Sequence, residues 1–319
     1  MKTTNYLFVA FGAAALTLTA CNNDDDVLNG GQEPGVVNIV TSINGPQTRV
    51  PVLNANGAGS FQGTDTLKLA VYGSSTGIYQ ANYYPGSTKL YWEDVKANAG
   101  EGNYTFAAWY NGNEPADLVA DATFDVAAAK DKDLLLATPV TVGEGAQVNL
   151  NFKHAMHKLV VNVTYDGDFT GVNKENVSIK PVGMNATTEI DIKAGTVAVG
   201  EANATKGTYA AQLLDVNNAC SFILAPQKLT TGAAWLEINL DGQKTLTFNV
   251  PANYTTSGSS TEALSQLNSG EVLTLNLTIK KVAGGGDDEK TEVVLTTGQI
   301  TAWNSQGTVE GDVQVNGNN

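Results

Sequence analysis

Apolar residues along this chain recur mainly in short runs of period two, separated by turns rich in glycine, asparagine and proline. Val148-Asn149-Leu150-Asn151-Phe152 is the clearest case, with three apolar residues on one face and asparagines on the other. That spacing is the signature of a half-buried β-strand. Leu67 to Tyr72, Lys89 to Trp92, Tyr104 to Tyr110 and Asp133 to Thr138 read as strands. So do Val177 to Lys180, Thr188 to Ile192, Thr196 to Val199, Ser221 to Leu224, Trp235 to Leu240, Thr245 to Val250, Val272 to Ile279, Thr291 to Leu295 and Gln299 to Trp303. Val309 to Val315 alternates as well. Asp241-Gly242 is a hairpin turn signal. Glu262 to Leu267 reads as a short helix, and Asp117 to Ala129 as either a helical turn or a strand. After Phe152 the apolar parity moves by one, to Leu159, Val161 and Val163, which predicts a bulge or break at His154 to Lys158. Many short strands with turns between them argue for β-sandwiches.

The first fifty residues follow a different pattern. Lys2 precedes an apolar run from Tyr6 to Leu18, and Thr19-Ala20 puts small residues before Cys21. This is a secretory signal, too short to span a bilayer. An acidic run, Asn22 to Asp26, follows, then a Gly- and Pro-containing linker to Gly35. Val36-Val37-Asn38-Ile39-Val40-Thr41-Ser42-Ile43 is rich in β-branched residues and reads as a strand. Asn44-Gly45-Pro46 breaks it. Arg49, the single arginine of the chain, stands in an extended segment before Val50-Pro51. Asn54 to Gly63 is a polar, glycine-rich loop.

Composition narrows the function classes. The 319 residues carry a formal net charge of −14, which argues against a nucleic-acid partner, since phosphate binding needs clustered Lys and Arg. The length suggests two domains, each long enough to bury a core. Of the two cysteines, Cys21 sits at the signal's cleavage point, and Cys220 reads as a small buried apolar residue in Ala219 to Leu224.

Candidate chemistry is thin. Gly73-Ser74-Ser75-Thr76-Gly77 matches G-x-S-x-G, but no helical pattern follows it, so it reads as a hairpin loop. His154 and His157 are the only histidines. Three apart on a strand, they would point to opposite faces and not converge on a metal. Asp131-Lys132-Asp133 lacks the glycine and terminal glutamate of a calcium loop. No residue set points to catalysis, to a metal or to a cofactor.

A signal ending in cysteine resembles the bacterial lipoprotein signal, in which that cysteine is lipidated. The acidic run resembles the export signal of surface lipoproteins of Bacteroidetes. Beyond the leader, Thr48-Arg49, Asp133-Leu134-Leu135-Leu136-Ala137-Thr138, Val148 to Val160 (the histidine-containing phrase, and the most specific) and Ile300-Thr301-Ala302-Trp303-Asn304 together resemble the fimbrillin family of Bacteroidetes, the subunits of type V pili. The resemblance implies an all-β chain with two transthyretin-like β-sandwich domains. It implies a signal peptide over 1–20, a tether and removable strand over 21–49, and sandwiches over 50–145 and 146–319. It implies lipidation at Cys21, attachment to the outer membrane, and cleavage between Arg49 and Val50 by an arginine-specific protease. Other pilus subunits are then the partners, and the processed chain is part of the fimbrium. Val36 to Ile43 is the candidate removed strand, and part of Thr291 to Val315 the candidate donor. The alternative is a surface lipoprotein, as tip, anchor or glycan-binding adhesin, that does not polymerise.

Overall fold

The computed structural model describes residues 35–43, 61, 63–111, 122–129, 133–255, 261–283 and 289–302. Cys21, the acidic run, Arg49, Val50, Asp131-Lys132 and everything from Trp303 onward lie outside the described residues.

The β-branched and aromatic runs form strands as their composition favours. The first eight are β1 (Ile39–Ile43), β2 (Leu67–Tyr72), β3 (Ile78–Tyr83), β4 (Tyr104–Tyr110), β5 (Ala122–Asp125), β6 (Leu135–Thr138), β7 (Val140–Val142) and β8 (Val148–His154). All but β5 build one seven-stranded sheet of order β1-β8-β6-β4-β2-β3, with β7 also paired to β4. One face of it buries Leu67, Leu69, Val71, Tyr104, Phe106, Val148, Leu150 and Phe152 beneath helix α1 (Trp92–Ala99). From the opposite face, Ala70, Ala107, Trp109 and Leu136 enter a second core. A sheet covered on both faces explains why Phe106-Ala107-Ala108-Trp109 is continuously buried and does not alternate.

The remaining strands are β9 (His157–Asp166), β10 (Ser178–Pro181), β11 (Thr187–Asp191), β12 (Thr196–Val197), β13 (Gln212–Leu213), β14 (Ala219–Leu224), β15 (Gln227–Lys228) and β16 (Ala234–Leu240). They continue with β17 (Lys244–Asn249), β18 (Asn253–Thr255), β19 (Thr261–Ala263), β20 (Gln266–Leu267), β21 (Glu271–Ala283) and β22 (Glu289–Ala302). Two four-stranded sheets, β14-β9-β21-β22 and β13-β10-β16-β17, share the second core. Leu273, Leu275, Leu277 and Ile279 alternate into it from β21, and Leu236, Ile238 and Phe248 face them from the other sheet. On the outer face Asn162 donates to Asn276 at 2.8 Å, and the Thr164 and Thr278 hydroxyls lie 2.8 Å apart, polar pairs that keep the parallel β9–β21 ladder in register. The chain is all-β and sandwich-built. The expected turn at Asp241-Gly242 joins β16 to β17, with φ of 52° and 72°.

Four readings change. Val148 to His154 was expected to open a second domain, yet β8 lies inside the first sheet, between β1 and β6. Gly143-Glu144-Gly145 is a tight turn between β7 and β8 within that sheet, so a boundary after residue 145 cuts through it. Conversely, β5 pairs with β11. The chain changes sheets at Ala155-Met156, where the parity shift predicts a break. Second, a strand over Lys89 to Trp92 gives way to a bridge at Tyr91 and then α1, whose Trp92, Val95 and Ala99 share one buried helical face. Third, Glu262 to Leu267 is not helical: Leu264 and Leu267 are buried three apart, but β19 pairs with β18 and β20 with β15. Fourth, the strands expected at 291–295 and 299–303 are one strand, β22, with a bulge where Thr296 has no partner opposite Asn276-Leu277.

The turn between β11 and β12 presses on the first sheet through Gly195, whose φ is +65° and where a Cβ would lie 2.6 Å from Pro139 Cδ and 2.7 Å from the Ala137 carbonyl. Gly86, at φ +74°, has open space around it. Gly86→Ala should therefore cost only the left-handed backbone penalty, about 1 kcal/mol, and Gly195→Ala about 2–5 kcal/mol through strain plus clash. Urea unfolding midpoints of the two variants check the difference.

Candidate functional site: an edge strand and its seat

The strand expected at Val36 to Ile43 is present as β1, preceded by an antiparallel bridge from Val36 to Tyr91. It runs parallel to β8, with Ile39 opposite Val148, Thr41 opposite Leu150 and Ile43 opposite Phe152. Among the described residues the sheet ends at β1, whose outer edge is unpaired there. Further bonds fix its start: Val37 N–H to Leu90 O at 2.7 Å, Trp92 N–H to Gly35 O at 2.8 Å and Val148 N–H to Asn38 O at 2.8 Å.

Alternate side chains face the core. Val37 is 4% exposed and Ile43 1%, while Ile39 and Thr41 are half-buried between them. Full burial of each end residue contributes about 1.5–3 kcal/mol. On the outer face, Ser42 Oγ donates to Asn151 Oδ1 and Asn38 Nδ2 to Gln147 Oε1 at 3.3 Å, so polar side chains also mark the register. Phe61 packs edge-on against Phe152 and Tyr110, with centroids 4.6 and 5.2 Å apart. It was not anticipated. Within the glycine-rich stretch Asn54 to Gly63 it is the one aromatic, and that isolation was the available signal.

The seat is built from residues that follow Arg49 in sequence, and β1 precedes it. Cys21, Arg49 and Val50 lie outside the described residues, so the structure does not bring them together with the seat. Every contact that holds β1 to β8 is nevertheless non-covalent.

The other candidates resolve into structure. Gly73 to Gly77 is the loop of the β2–β3 hairpin, where Ser75 Oγ donates to the Asn98 carbonyl at 3.1 Å. Cys220 is half-buried against the second core, and burial with Asp215 nearby pushes its thiol up to about 12, far from thiolate chemistry at neutral pH. Trp92 and Tyr83 are buried, whereas Tyr84 and Tyr91 remain exposed.

His154 and His157 lie on different strands, and both are buried. His154 Nδ1 meets Asp133 Oδ2, and burial raises the Asp133 carboxyl above the ordinary range. His157 Nδ1 is 3.0 Å from the Asn268 carbonyl, which fixes that nitrogen as the donor, and its Nε2 is buried without a hydrogen-bond partner among the described residues. His154 also lines a cleft of about 480 Å³ between the first sheet and the second group of strands, with Thr138, Lys153, Thr196 and Ser269.

A model of the fimbrillin-like family matches residues 44–303, more than half of the chain. The chain belongs to the fimbrillin-like family. That membership places it among pilus- and adhesion-related surface subunits. The matched span begins directly after β1. Among solved structures, a candidate cell-adhesion protein of Bacteroides uniformis is similar in fold, at 15% identity and a TM-score of 0.50, over 84% of this chain and 98% of that one. A fimbrillin, FimA, of Porphyromonas gingivalis shares 13% identity over 84% of this chain and 98% of its own, with a TM-score of 0.47. The C-terminally truncated tip fimbrial protein Mfa3 of the same organism shares 12% over 75% and 94%, with a TM-score of 0.42. No curated protein matches this fimbrillin-like chain.

Burial without compensating charge lowers the His157 imidazole from 6.5 to about 4. The folded chain therefore binds fewer protons than the unfolded one between those values. His157 contributes its full stability above about pH 6.5 and loses it as pH falls toward 4. The loss amounts to about 3 kcal/mol. Asp133, with its raised value, acts in the opposite direction. His157's share is thus the difference between the wild type and His157→Gln: urea unfolding at pH 7 and pH 4 should show a larger acid loss in the wild type.

Proposed function

We propose that this chain is a structural subunit of a type V pilus, exported as a lipoprotein on Cys21 and polymerised by strand exchange after cleavage between Arg49 and Val50. The observation that carries the reading is the position of β1. Among the described residues it is seated at the sheet's edge, and the single arginine separates it in sequence from every other described strand.

The energetics favour a cut as the switch. In the uncut chain β1 docks as a tethered segment, at an effective concentration in the millimolar range for a short linker. After the cut it stays only by its own affinity, from one short parallel ladder, a few flanking backbone bonds and its buried side chains. Parallel pairing is the slightly weaker kind per residue. Once β1 leaves, the edge of β8 presents unpaired N–H and C=O groups beside slots vacated by Val37 and Ile43. A strand from another subunit satisfies both by β-augmentation. Because donor and acceptor surfaces differ, the contact is head-to-tail and grows a filament. The partners are other pilus subunits and an arginine-specific protease. The lipid anchor holds the precursor at the outer membrane before the processed chain joins the fimbrium.

The purified chain, treated with an arginine-specific protease, should lose residues 1–49 and form a ladder of multimers, whereas Arg49→Ala should remain uncut and monomeric. A confirmed cut that leaves a monomer sinks polymerisation, and normal multimers from Arg49→Ala sink the assigned site.

A further inference from the structure

Asp133 stands at the point where the chain leaves the first sheet. It immediately precedes Leu134 and β6, and its carboxylate meets the neighbouring crossover at His154 and the Met156 amide, with the Lys158 charge acting on it as well. His154, the last residue of β8, meets it through Nδ1. Burial dominates and raises the carboxyl, and His154, the ammonium of Lys158 and the backbone amide of Met156 offset part of it. The backbone adds a bond beside it, Ala155 N–H to Leu134 O at 2.8 Å. A second brace comes from the turn before β21. Gly270 N–H donates to Met156 O at 2.9 Å, Ser269 Oγ to His154 O at 3.4 Å, and the Asn268 carbonyl accepts from His157. Gly270 is at φ +71°, and a Cβ there would stand 3.2 Å from the His154 carbonyl, so this brace sits close against the strand end.

These contacts grip β8 at one end, two residues beyond Phe152, the seat of Ile43. With β1 in place, β8 is an interior strand paired on both sides. Without it, β8 is an edge strand held laterally by four pairs to β6, Leu135–His154 through Thr138–Asn151. Two of those partners, Ala137 and Thr138, face Phe152 and Asn151, where an incoming strand must be read. An edge so lightly held frays from its ends.

We propose that Asp133 and His154 form a positioning clamp that holds β8 in register as an acceptor edge after β1 has gone. This rests on the strand-exchange reading above. The clamp is redundant in the uncut chain, where β1 supports β8 from the other side, and it becomes necessary in the cut one. Its grip combines a charge-assisted contact with the backbone bonds of the crossover. The contacts of Asp133 and His154 described above run to the crossover, not to β1, so the pair acts through β8.

The test is amide hydrogen exchange over residues 148–154, read in the full chain before and after arginine-specific cleavage. Asp133→Asn and His154→Gln should exchange within about twofold of the wild type when uncut. Once the fragment has dissociated, both should exchange ten times faster or more, and each should capture a peptide of sequence 36–43 at least ten times more weakly than the cut wild type. Equal exchange in the cut variants and cut wild type overturns the clamp. So does a variant that exchanges equally fast, or fails to fold, when uncut, because the pair is then a general stabilising element. Retention of the fragment by the cut wild type counts against strand exchange itself. In that case the clamp is read in Ile43→Asp, which unseats β1 without a cut, with and without Asp133→Asn, and the same tenfold difference supports or overturns it.

Discussion

The parallel ladder between Ile39–Ile43 and Val148–Phe152 is the contact that completes the first sheet. It converts β8 from an edge into an interior strand and closes the core at Val37 and Ile43. Its strength is moderate by construction. Five paired residues bring few ladder bonds, and on the core-facing side the two most buried side chains, Val37 and Ile43, flank the half-buried Ile39 and Thr41. Under the strand-exchange proposal, such a strand docks firmly while tethered and exchanges once free, because tethering raises its effective concentration and contributes nothing to the contacts themselves.

Much of this was legible in the sequence because period-two burial leaves a direct trace. Val148, Leu150 and Phe152 announce both a strand and its buried face, and Val36 to Ile43 announces a strand by β-branching alone. The parity shift after Phe152 predicts a break at His154 to Lys158, and a break is present at Ala155-Met156; that it is also a change of sheet was not readable from the parity. What remained illegible is which sheet a strand joins. Nothing in Val148 to His154 says that its neighbours are β1 and β6; that depends on long-range pairing, to which alternation is blind. The same blindness hid β5's partnership with β11. Local ambiguity accounts for the rest. Leu264 and Leu267 have helical spacing, but Leu264 follows the end of β19 and Leu267 lies in β20, and Trp92 reads as the end of a strand until Val95 and Ala99 are counted on the same helical face.

The histidine-containing phrase shows how residues that look chemical can be architectural. His154 and His157 are the only imidazoles in the chain, and their spacing invites a search for a metal or a base. Folded, they face different partners: a carboxylate at the start of the first sheet's β6 for one, and a backbone carbonyl before β21 for the other. His157, a buried imidazole held neutral at pH 7 with one satisfied nitrogen, suits a junction, because it carries a directional bond into an apolar site without a permanent charge.

That junction matters because β8 is pulled in two directions. By pairing it belongs to the first sheet and forms the seat of β1; by covalent continuity it runs into β9, which is the parallel partner of β21 over nine residue pairs. A strand seated on β8 is therefore coupled to the second core through Ala155-Met156 and not through a flexible linker. Any load on a seated strand passes along β8, through the crossover, and into the β9–β21 ladder, where Leu159, Val161 and Val163 are locked among Leu273, Leu275 and Leu277. Ladder bonds loaded along the strand direction must break together, whereas bonds at a free end break one at a time, so placing the crossover beneath the seat makes the whole ladder share the load. The cost is that the bend itself must not yield, and the bonds gathered there by Asp133, Leu134 and the 268–270 turn are what a bend under that demand requires.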